Sequence, residues 1–188
     1  KSLIEDIIFL SHLDEGQVAN LEQCDVKQIC CEVFDDLQEK ATERAVKLQV
    51  QGEQLIITAV KRYLYELIYN LVDNAIRYNR PQGTVTVNLR SHGNKCTIAV
   101  RDTGIGIAPE EQHRIFERFY RVDKSHSRQT GGTGLGLSIV KRVVLYHYGK
   151  IKISSKLGEG TTFTITFNFN KLQELAATNE RKQQALRE

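Results

Sequence analysis

The sequence predicts an α+β fold, a two-layer sandwich in which helices pack on one face of a mixed β-sheet. Two observations support this prediction. Apolar residues recur at helical spacing in several segments, and short alternating runs bounded by glycine-containing turns lie between them. At 188 residues the chain is long enough to bury one sizeable core, which favours a single domain with room for a helical extension.

The first half of the chain predicts two helices, two strands and a third helix. Apolar spacing predicts a helix within residues 1–14, which Gly16 ends, and a second helix from about residue 26 to residue 46. Alternating runs at residues 47–51 and 55–58 predict strands on either side of a turn. The third helix is predicted from about residue 60 to residue 78.

The second half predicts a hairpin, a helix, a strand pair and a polar tail. In order, these are strands at 84–90 and 95–102, a helix from about 134 to 148, and strands at 150–154 and 161–168. Residues 171–188 are rich in Gln, Glu, Lys and Arg, so we expect a frayed or partner-dependent helix there.

The composition excludes some functions. The net charge of +3, from 26 basic and 23 acidic residues, is too balanced to indicate a nucleic-acid or anionic-membrane partner. The four cysteines show no metal-binding spacing and are expected to be reduced thiols of a cytosolic protein. No apolar run approaches the roughly 20 residues that span a bilayer. Because methionine is absent even at position 1, we expect a fragment or processed chain whose missing part contains a membrane anchor.

The third predicted helix carries a polar stripe opposite its apolar face. Glu66, Asn70, Asp73, Asn74 and Arg77 share this stripe at spacings of three and four residues. A stripe of this kind faces either water or a binding site, and alone it would favour water. The glycine motifs that follow in the sequence favour a site.

Two glycine motifs have the composition of ligand-binding turns. In Asp102-Thr103-Gly104-Ile105-Gly106 a strand runs into a turn, and the glycines allow close approach of the backbone or positive φ. The second motif, Gly132-Thr133-Gly134-Leu135-Gly136-Leu137, leads into an apolar helix whose first N–H groups can meet phosphates. It is neither a P-loop nor a dinucleotide-binding GxGxxG motif.

A long basic segment, residues 107–131, separates the two glycine motifs. It contains Arg118, Arg121 and further cations, together with Phe116, Phe119 and Tyr120. Loops of this length in compact domains are usually functional or disordered, although a solvated basic loop is the simpler alternative. We expect residues 123–131 to be the least ordered part of the fold without a ligand.

Taken in order and at their distances, Asn70-Leu71-Val72-Asp73-Asn74-Ala75 and the two glycine motifs resemble the N, G1 and G2 boxes of the GHKL (Bergerat) nucleotide-binding fold. With Phe116-Glu117-Arg118-Phe119-Tyr120 as an F box, they resemble the catalytic domain of a bacterial sensor histidine kinase. The resemblance covers about residues 1–169. It implies binding of ATP with Mg²⁺ and transfer of the γ-phosphoryl group to a histidine.

The resemblance also assigns residues. It implies that Asn70, Arg118 and Arg121 are catalytic. Asn70 would also bind Mg²⁺, Asn74 would contact phosphate or metal-bound water, and Arg118 or Arg121 would contact phosphate. Asp102 would accept a hydrogen bond from the adenine amine, while Tyr78 would either line the adenine pocket or pack in the fold. The full set of expected nucleotide-binding residues is Asn70, Asn74, Arg77, Tyr78, Asp102, Gly104, Gly106, Ile107, Gly132, Thr133, Gly134, Leu135, Gly136 and Leu137.

The resemblance further implies a domain layout and partners. Residues 1–16 would end the second dimerisation helix and form a linker, 17–169 would form the ATP-binding domain, and 170–188 a polar helix or tail. The phosphoacceptor histidine would lie on a dimerisation domain absent from this chain, since no His-Glu-Leu-Arg-Thr-Pro stretch occurs and His12 is expected at the surface. The whole protein would be a membrane-anchored homodimer with this domain in the cytoplasm, and would signal to a response regulator.

Two alternatives remain from the sequence. One is a GHKL ATPase or serine-kinase relative, and the other is a nucleotide-binding interaction module without chemistry. In the ATP-hydrolysing relatives a glutamate that activates water stands where this chain has Asn70, and asparagine cannot take that proton. Asn70 and the F box therefore count against an ATPase.

Overall fold

The structure, a computed structural model, describes residues 3–15, 19–122 and 132–185. The helices are α1 (Leu3–Asp14), α2 (Val26–Glu43), α3 (Lys61–Arg77), α4 (Gly136–Tyr146) and α5 (Phe169–Ala185). The strands are β1 (Glu22–Asp25), β2 (Lys47–Gly52), β3 (Ile56–Ala59), β4 (Thr84–His92), β5 (Lys95–Asp102), β6 (Lys150–Lys156) and β7 (Gly160–Asn168).

Five strands form one mixed sheet in the order β2-β4-β5-β7-β6. Strands β2 and β4 pair in parallel, and the remaining pairs are antiparallel. The predicted hairpin is present, because His92 pairs with Lys95 across a turn at Gly93 and Asn94. A small antiparallel sheet of β1 and β3 stands apart from this one. The predicted α+β sandwich is confirmed.

The core lies between the large sheet and the helices. Along β4 and β5 the side chains alternate between buried apolar residues on one face and polar, partly exposed residues on the other. Helix α3 packs against both α2 and α4, so its apolar face is covered along its length. The inward-facing sheet residues include Val85, Val87, Leu89, Ile98, Val100, Ile165 and Phe167.

Local signals set the bounds of α2. Its N-cap is Asp25, whose carboxylate accepts the backbone N–H groups of Lys27 and Gln28. The helix ends at Glu43 and not near residue 46 as predicted. The reason is local backbone geometry, since Ala45 has a positive φ of 51° and β2 begins two residues later.

The helix expected near the C-terminus is present as α5, and over its described length it is packed on the domain and not frayed. Helix α5 packs against the domain through Leu172 and Leu175, which are buried. Its Asn179 side chain donates hydrogen bonds to Ala19 O at 3.0 Å and to the Tyr146 hydroxyl at 2.8 Å. Two leucines one turn apart and one polar anchor are thus sufficient to hold an otherwise polar helix.

Helix α1 packs on the domain with one of its faces. Its Phe9 is buried edge-on against Tyr63 of α3, with ring centroids 5.4 Å apart, and Leu10 and Leu13 are buried beside it. His12 is exposed, in agreement with its predicted surface position. In the part of the chain that the structure describes, no helix is both long and apolar enough to cross a membrane.

Candidate functional site

The polar stripe of α3 faces the start of α4. Asn70 donates a hydrogen bond from Nδ2 to Glu66 O at 2.7 Å, which leaves Oδ1 as the group directed towards α4. A Cβ placed on Gly136 would lie 2.7 Å from this oxygen, so only glycine allows α4 to begin so close to it. The site therefore contains a neutral amide oxygen at the first residue of α4.

Arg77 lies on the same stripe, nearly two turns further along. Its side chain is 10% exposed, and its Nη2 donates to Asp73 Oδ2 at 2.9 Å. Its Nη1 is buried and has no hydrogen-bond partner among the described residues. A Cβ on Gly132 would lie 3.2 Å from that atom. A buried guanidinium nitrogen without an acceptor is costly, and an anion beside Gly132 would satisfy it.

The start of α4 is free to bind an anion. Its N-cap residue, Leu135, makes no side-chain capping bond, so the first N–H groups of the helix have no capping acceptor among the residues that the structure describes. Gly134 has φ +72°, and a Cβ there would meet the Phe119 backbone at 2.9 Å. Leu135 as a whole is 1% exposed, so its side chain belongs to the core. Leu137 is partly buried in the same turn.

Asp102 lies at the opposite end of the site, where β5 ends. Its Oδ1 accepts the backbone N–H groups of Gly104 at 2.8 Å and Thr161 at 3.2 Å. No hydrogen bond from any described residue reaches Oδ2. Burial raises the pKa of this carboxyl, and the two N–H donors partly offset that rise. The result is a fixed acceptor with one oxygen available.

The glycines of the first motif are required by neighbouring protein backbone. A Cβ on Gly104 would lie 2.2 Å from Tyr78 O, and one on Gly106, which has φ +74°, would lie 2.1 Å from Lys156 O. Both glycines thus allow close approach to neighbouring backbone, and Gly106 also has the positive φ that the sequence allowed for. Tyr78 is 42% exposed and therefore lies outside the buried core.

Two further predicted residues lie between these ends. The Ile107 N–H donates to Ser155 Oγ at 2.8 Å, and the Ile107 side chain packs partly buried against the core. Asn74 is partly exposed on the stripe, and its side-chain amide forms no hydrogen bond within the described ranges.

The structure separates Arg118 and Arg121, the two candidate arginines of the basic segment 107–131, which we call the lid. Arg121 Nη1 donates to Gly132 O and therefore lies at the second glycine motif. Arg118 pairs instead with Asp14 of α1. Of these two, Arg121 is the one placed beside the predicted phosphate position. Lys124, Arg128 and the predicted poorly ordered segment 123–131 lie outside the described residues.

Contacts from α1 to this site were not predicted from the sequence. Thr133 donates its hydroxyl to Asp6 Oδ2 at 3.0 Å, and Asp6 is buried. Asp14 binds Arg118 and also Arg142 of α4. A groove of about 480 Å³ lies beside these contacts. It is lined by Ile7, Leu10, Ser11, Asp14, Glu15, Arg118, Phe119 and Leu135, and so lies next to α1 and away from Asp102.

A mixed sheet covered by helices, an uncapped helix start beside a buried guanidinium and a fixed carboxylate at the other end together define a nucleotide-binding domain of the GHKL type. Residues 59–171 match the family described as histidine kinase-, DNA gyrase B- and HSP90-like ATPase, and the chain belongs to this family.

Known proteins similar to this chain are sensor histidine kinases. RppB of Synechocystis sp. is 39% identical over 171 residues, which cover 87% of this chain and 37% of RppB. The solved mycobacterial sensor histidine kinase MprB superposes with a TM-score of 0.69 at 27% identity, covering 79% of this chain and 97% of the other. Full-length ShkA superposes with a TM-score of 0.77 at 26% identity, covering 89% and 35%. The chain spans less than half the length of the curated relatives RppB, CikA and SenX3.

Proposed function

We propose that this chain binds ATP with Mg²⁺ and transfers the γ-phosphoryl group to a histidine on a dimerisation domain of the same protein. The observation that carries the proposal is Nη1 of Arg77 beside Gly132, at the start of α4, where neither this nitrogen nor the helix start has an acceptor among the described residues. Phosphate oxygens would satisfy this nitrogen and the helical N–H groups together. The ShkA structure is a complex with AMPPNP, an adenine nucleotide, which supports the assignment.

At the base end, Asp102 selects adenine. Its Oδ2 would accept the exocyclic amine of adenine, while the two backbone N–H groups hold the carboxylate in place through Oδ1. Guanine presents an oxygen acceptor at the equivalent edge and would be repelled. Asp102 therefore reads the base, and α3 and α4 hold the phosphates.

Asn70 fits a magnesium ion because its free group is a neutral oxygen, a ligand type that Mg²⁺ accepts beside phosphate. When bound, the metal would neutralise charge on the phosphates. The amide cannot act as a general base, so this residue supports transfer to an external acceptor in preference to hydrolysis. Arg121, at Gly132 O, would add positive charge at the same end of the site.

The partners belong to the longer protein. We propose a homodimer anchored in the membrane, with this domain in the cytoplasm and a response regulator as the next phosphate acceptor. These assignments are supported by the similarity to sensor histidine kinases.

Transfer from labelled ATP tests the proposal. Because transfer needs an acceptor held in line with the leaving oxygen, the chain alone with ATP and Mg²⁺ should give negligible phosphohistidine. Adding a dimerisation domain should give acid-labile label on the added histidine. Calorimetry on the same sample should show ATP binding and a preference over GTP.

The other outcomes identify the competing functions. Rapid release of inorganic phosphate without labelling would indicate an ATPase, and ATP binding with no transfer to any supplied acceptor would indicate an interaction module. Strong labelling of the chain alone that is lost in His12→Gln would contradict the placement of the acceptor on another domain.

A further inference from the structure

We infer that Asp73 is the positioning residue of the phosphate end: it holds one arm of the Arg77 guanidinium so that the other arm faces Gly132. The inference rests on the proposed function, because it concerns the residue that would bind phosphate there. It assigns Asp73 a role in nucleotide binding without contact to the nucleotide.

The carboxylate of Asp73 lies between two cations. Its Oδ2 accepts Arg77 Nη2 at 2.9 Å, and its Oδ1 accepts the ammonium of Lys40 from α2. The side chains of Asp73 and Arg77 are 15% and 10% exposed. Each oxygen therefore has its own cationic donor, and the pair is largely shielded from water, where a charged hydrogen bond is stronger.

This environment keeps Asp73 charged. Burial alone would raise the pKa of its carboxyl, but the hydrogen bond from Lys40 and the charge of Arg77 outweigh burial and hold the pKa below its usual range. Asp73 is consequently an anion at neutral pH and attracts the guanidinium at all pH values relevant to activity.

Helix α2 also fixes the backbone of Arg77. Arg44 Nη1 donates to Arg77 O at 2.8 Å, so the last carbonyl of α3 is held by a second cation from the end of α2. The carbonyl and the Nη2 of Arg77 are thus both tied. Because the guanidinium is planar and rigid, fixing Nη2 also fixes the direction of Nη1, which then lies unpaired beside Gly132.

The simpler interpretation is that Asp73 only joins α2 to α3. A second ion pair joins the same two helices, Lys61 with Glu32 at 3.2 Å. Glu32 also accepts from Gln28 of α2, and neither Lys61 nor Glu32 is hydrogen-bonded to Arg77 or Asp73. Glu32→Gln is therefore the matched control for Asp73→Asn. Both changes replace a carboxylate by an amide within an ion pair between the same two helices.

The test compares ATP with adenosine, which has no phosphates, by titration of the chain with each ligand. In Asp73→Asn the dissociation constant for ATP should rise about tenfold, while that for adenosine stays at the parent value. Glu32→Gln should leave both constants unchanged. Asp73→Glu keeps the charge but moves the carboxylate by one methylene, so it should show the same ATP-selective loss with a stability nearer the parent's.

Arg77→Met supplies the decisive background. This substitution should weaken the binding of ATP but not that of adenosine. Adding Asp73→Asn should then have no further effect on ATP binding, because no guanidinium remains to be positioned. Equal losses for ATP and adenosine, or a full Asp73→Asn effect in the Arg77→Met background, would overturn the inference. The inference would also be overturned if Arg77→Met weakened ATP binding while Asp73→Asn and Asp73→Glu bound ATP as tightly as the parent protein. A parent that does not bind ATP would instead overturn the proposed function, and the inference with it.

Discussion

Single carboxylates in this domain divide their two oxygens between different tasks. Asp102 uses Oδ1 to hold the turn after β5 to β7, through Gly104 and Thr161, and leaves Oδ2 for a ligand. Asp73 uses one oxygen to tie α2 and the other to direct Arg77. A residue with this division cannot be replaced by a shorter or neutral acceptor without loss of at least one task.

Asp102→Asn should weaken ATP binding strongly. The amide has nearly the same shape, but its NH₂ group must either face the adenine amine, donor against donor, or turn towards the backbone N–H groups of Gly104 and Thr161. A hydrogen bond to a charged group contributes about 1.5–3 kcal/mol, so the ATP dissociation constant should rise roughly 10- to 100-fold. Calorimetry at neutral pH measures it, and unchanged affinity would show that another residue reads the base.

Helical period placed Asn70 and Arg77 on one stripe, and the family resemblance added the glycines. In the structure Asn70 lies against Gly136 and Arg77 against Gly132, but the hydrogen bonds of these residues were not predicted. The partners of Thr133 and Arg118 could not be predicted, because Asp6 is 127 positions from Thr133 and Asp14 is 104 positions from Arg118. Contacts at such separations depend on how α1 docks, and no local pattern records that.

At the scale of elements, α1 is connected to the catalytic face through carboxylates. Asp14 bridges Arg118 of the lid and Arg142 of α4, while Asp6 accepts the hydroxyl of Thr133. The bond from Arg118 is the main influence holding the pKa of Asp14 below its usual range. Thr133 belongs to the expected nucleotide-binding set and Arg118 is one of the two arginines expected to contact phosphate, so the docking of α1 engages side chains that we propose for the nucleotide site.

Asp14→Asn should loosen α1 without unfolding the domain. The pair is partly exposed, so its loss should lower the free energy of unfolding by no more than about 1 kcal/mol. Amide exchange in α1 should become faster, and ATP affinity should rise a few-fold because Arg118 is released. Asp35→Asn, which changes an exposed carboxylate of α2, is the control. Unchanged exchange in α1 would show that its apolar face alone holds it.

Strand β1, which sequence analysis missed, and helix α5, which it expected only as a frayed or partner-dependent helix, both depend on partners for their stability. Strand β1 reads Glu-Gln-Cys-Asp, with no run of β-branched residues, and forms because it pairs with β3, where Gln23 Nε2 donates to Thr58 Oγ1 at 2.8 Å. Helix α5 has few apolar residues, and it is held on the domain because its Leu172 and Leu175 are buried there. By contrast, α3 has a complete apolar face and was predicted within one residue of its observed ends.

At the scale of the whole molecule, one buried histidine joins the helical layer to the sheet. His147 accepts the Val60 N–H, just before α3, through Nε2 at 3.2 Å, and its Nδ1 lies 2.9 Å from Val143 O of α4. Its ring also meets Phe167 of β7, with centroids 5.9 Å apart. This set of partners requires the neutral ring with its proton on Nδ1, because Nε2 must remain an acceptor.

The stability of the domain should therefore fall in mild acid. Burial lowers the pKa of His147 to about 4, against an ordinary value of 6.5. Between these two pH values the histidine is protonated in the unfolded chain but neutral in the folded chain. The stabilisation that neutral His147 gives the fold is therefore complete above pH 6.5 and is lost as the pH falls towards 4. The free energy of unfolding should be about 2 kcal/mol lower at pH 5 than at pH 7.5.

Urea unfolding at the two pH values measures this loss. His147→Gln should be less stable than the parent at pH 7.5 but should lose much less on acidification, because glutamine does not titrate. His92→Gln, which changes an exposed histidine in the β4–β5 hairpin, should keep the full parental pH dependence. The carboxyls Asp14, Asp25 and Asp73, whose pKa values are lowered, release their stabilisation only below about pH 4 and so fall outside this window. If the free energy of unfolding falls by the same amount in the parent and in His147→Gln between pH 7.5 and 5, the acid sensitivity arises from another group and not from His147.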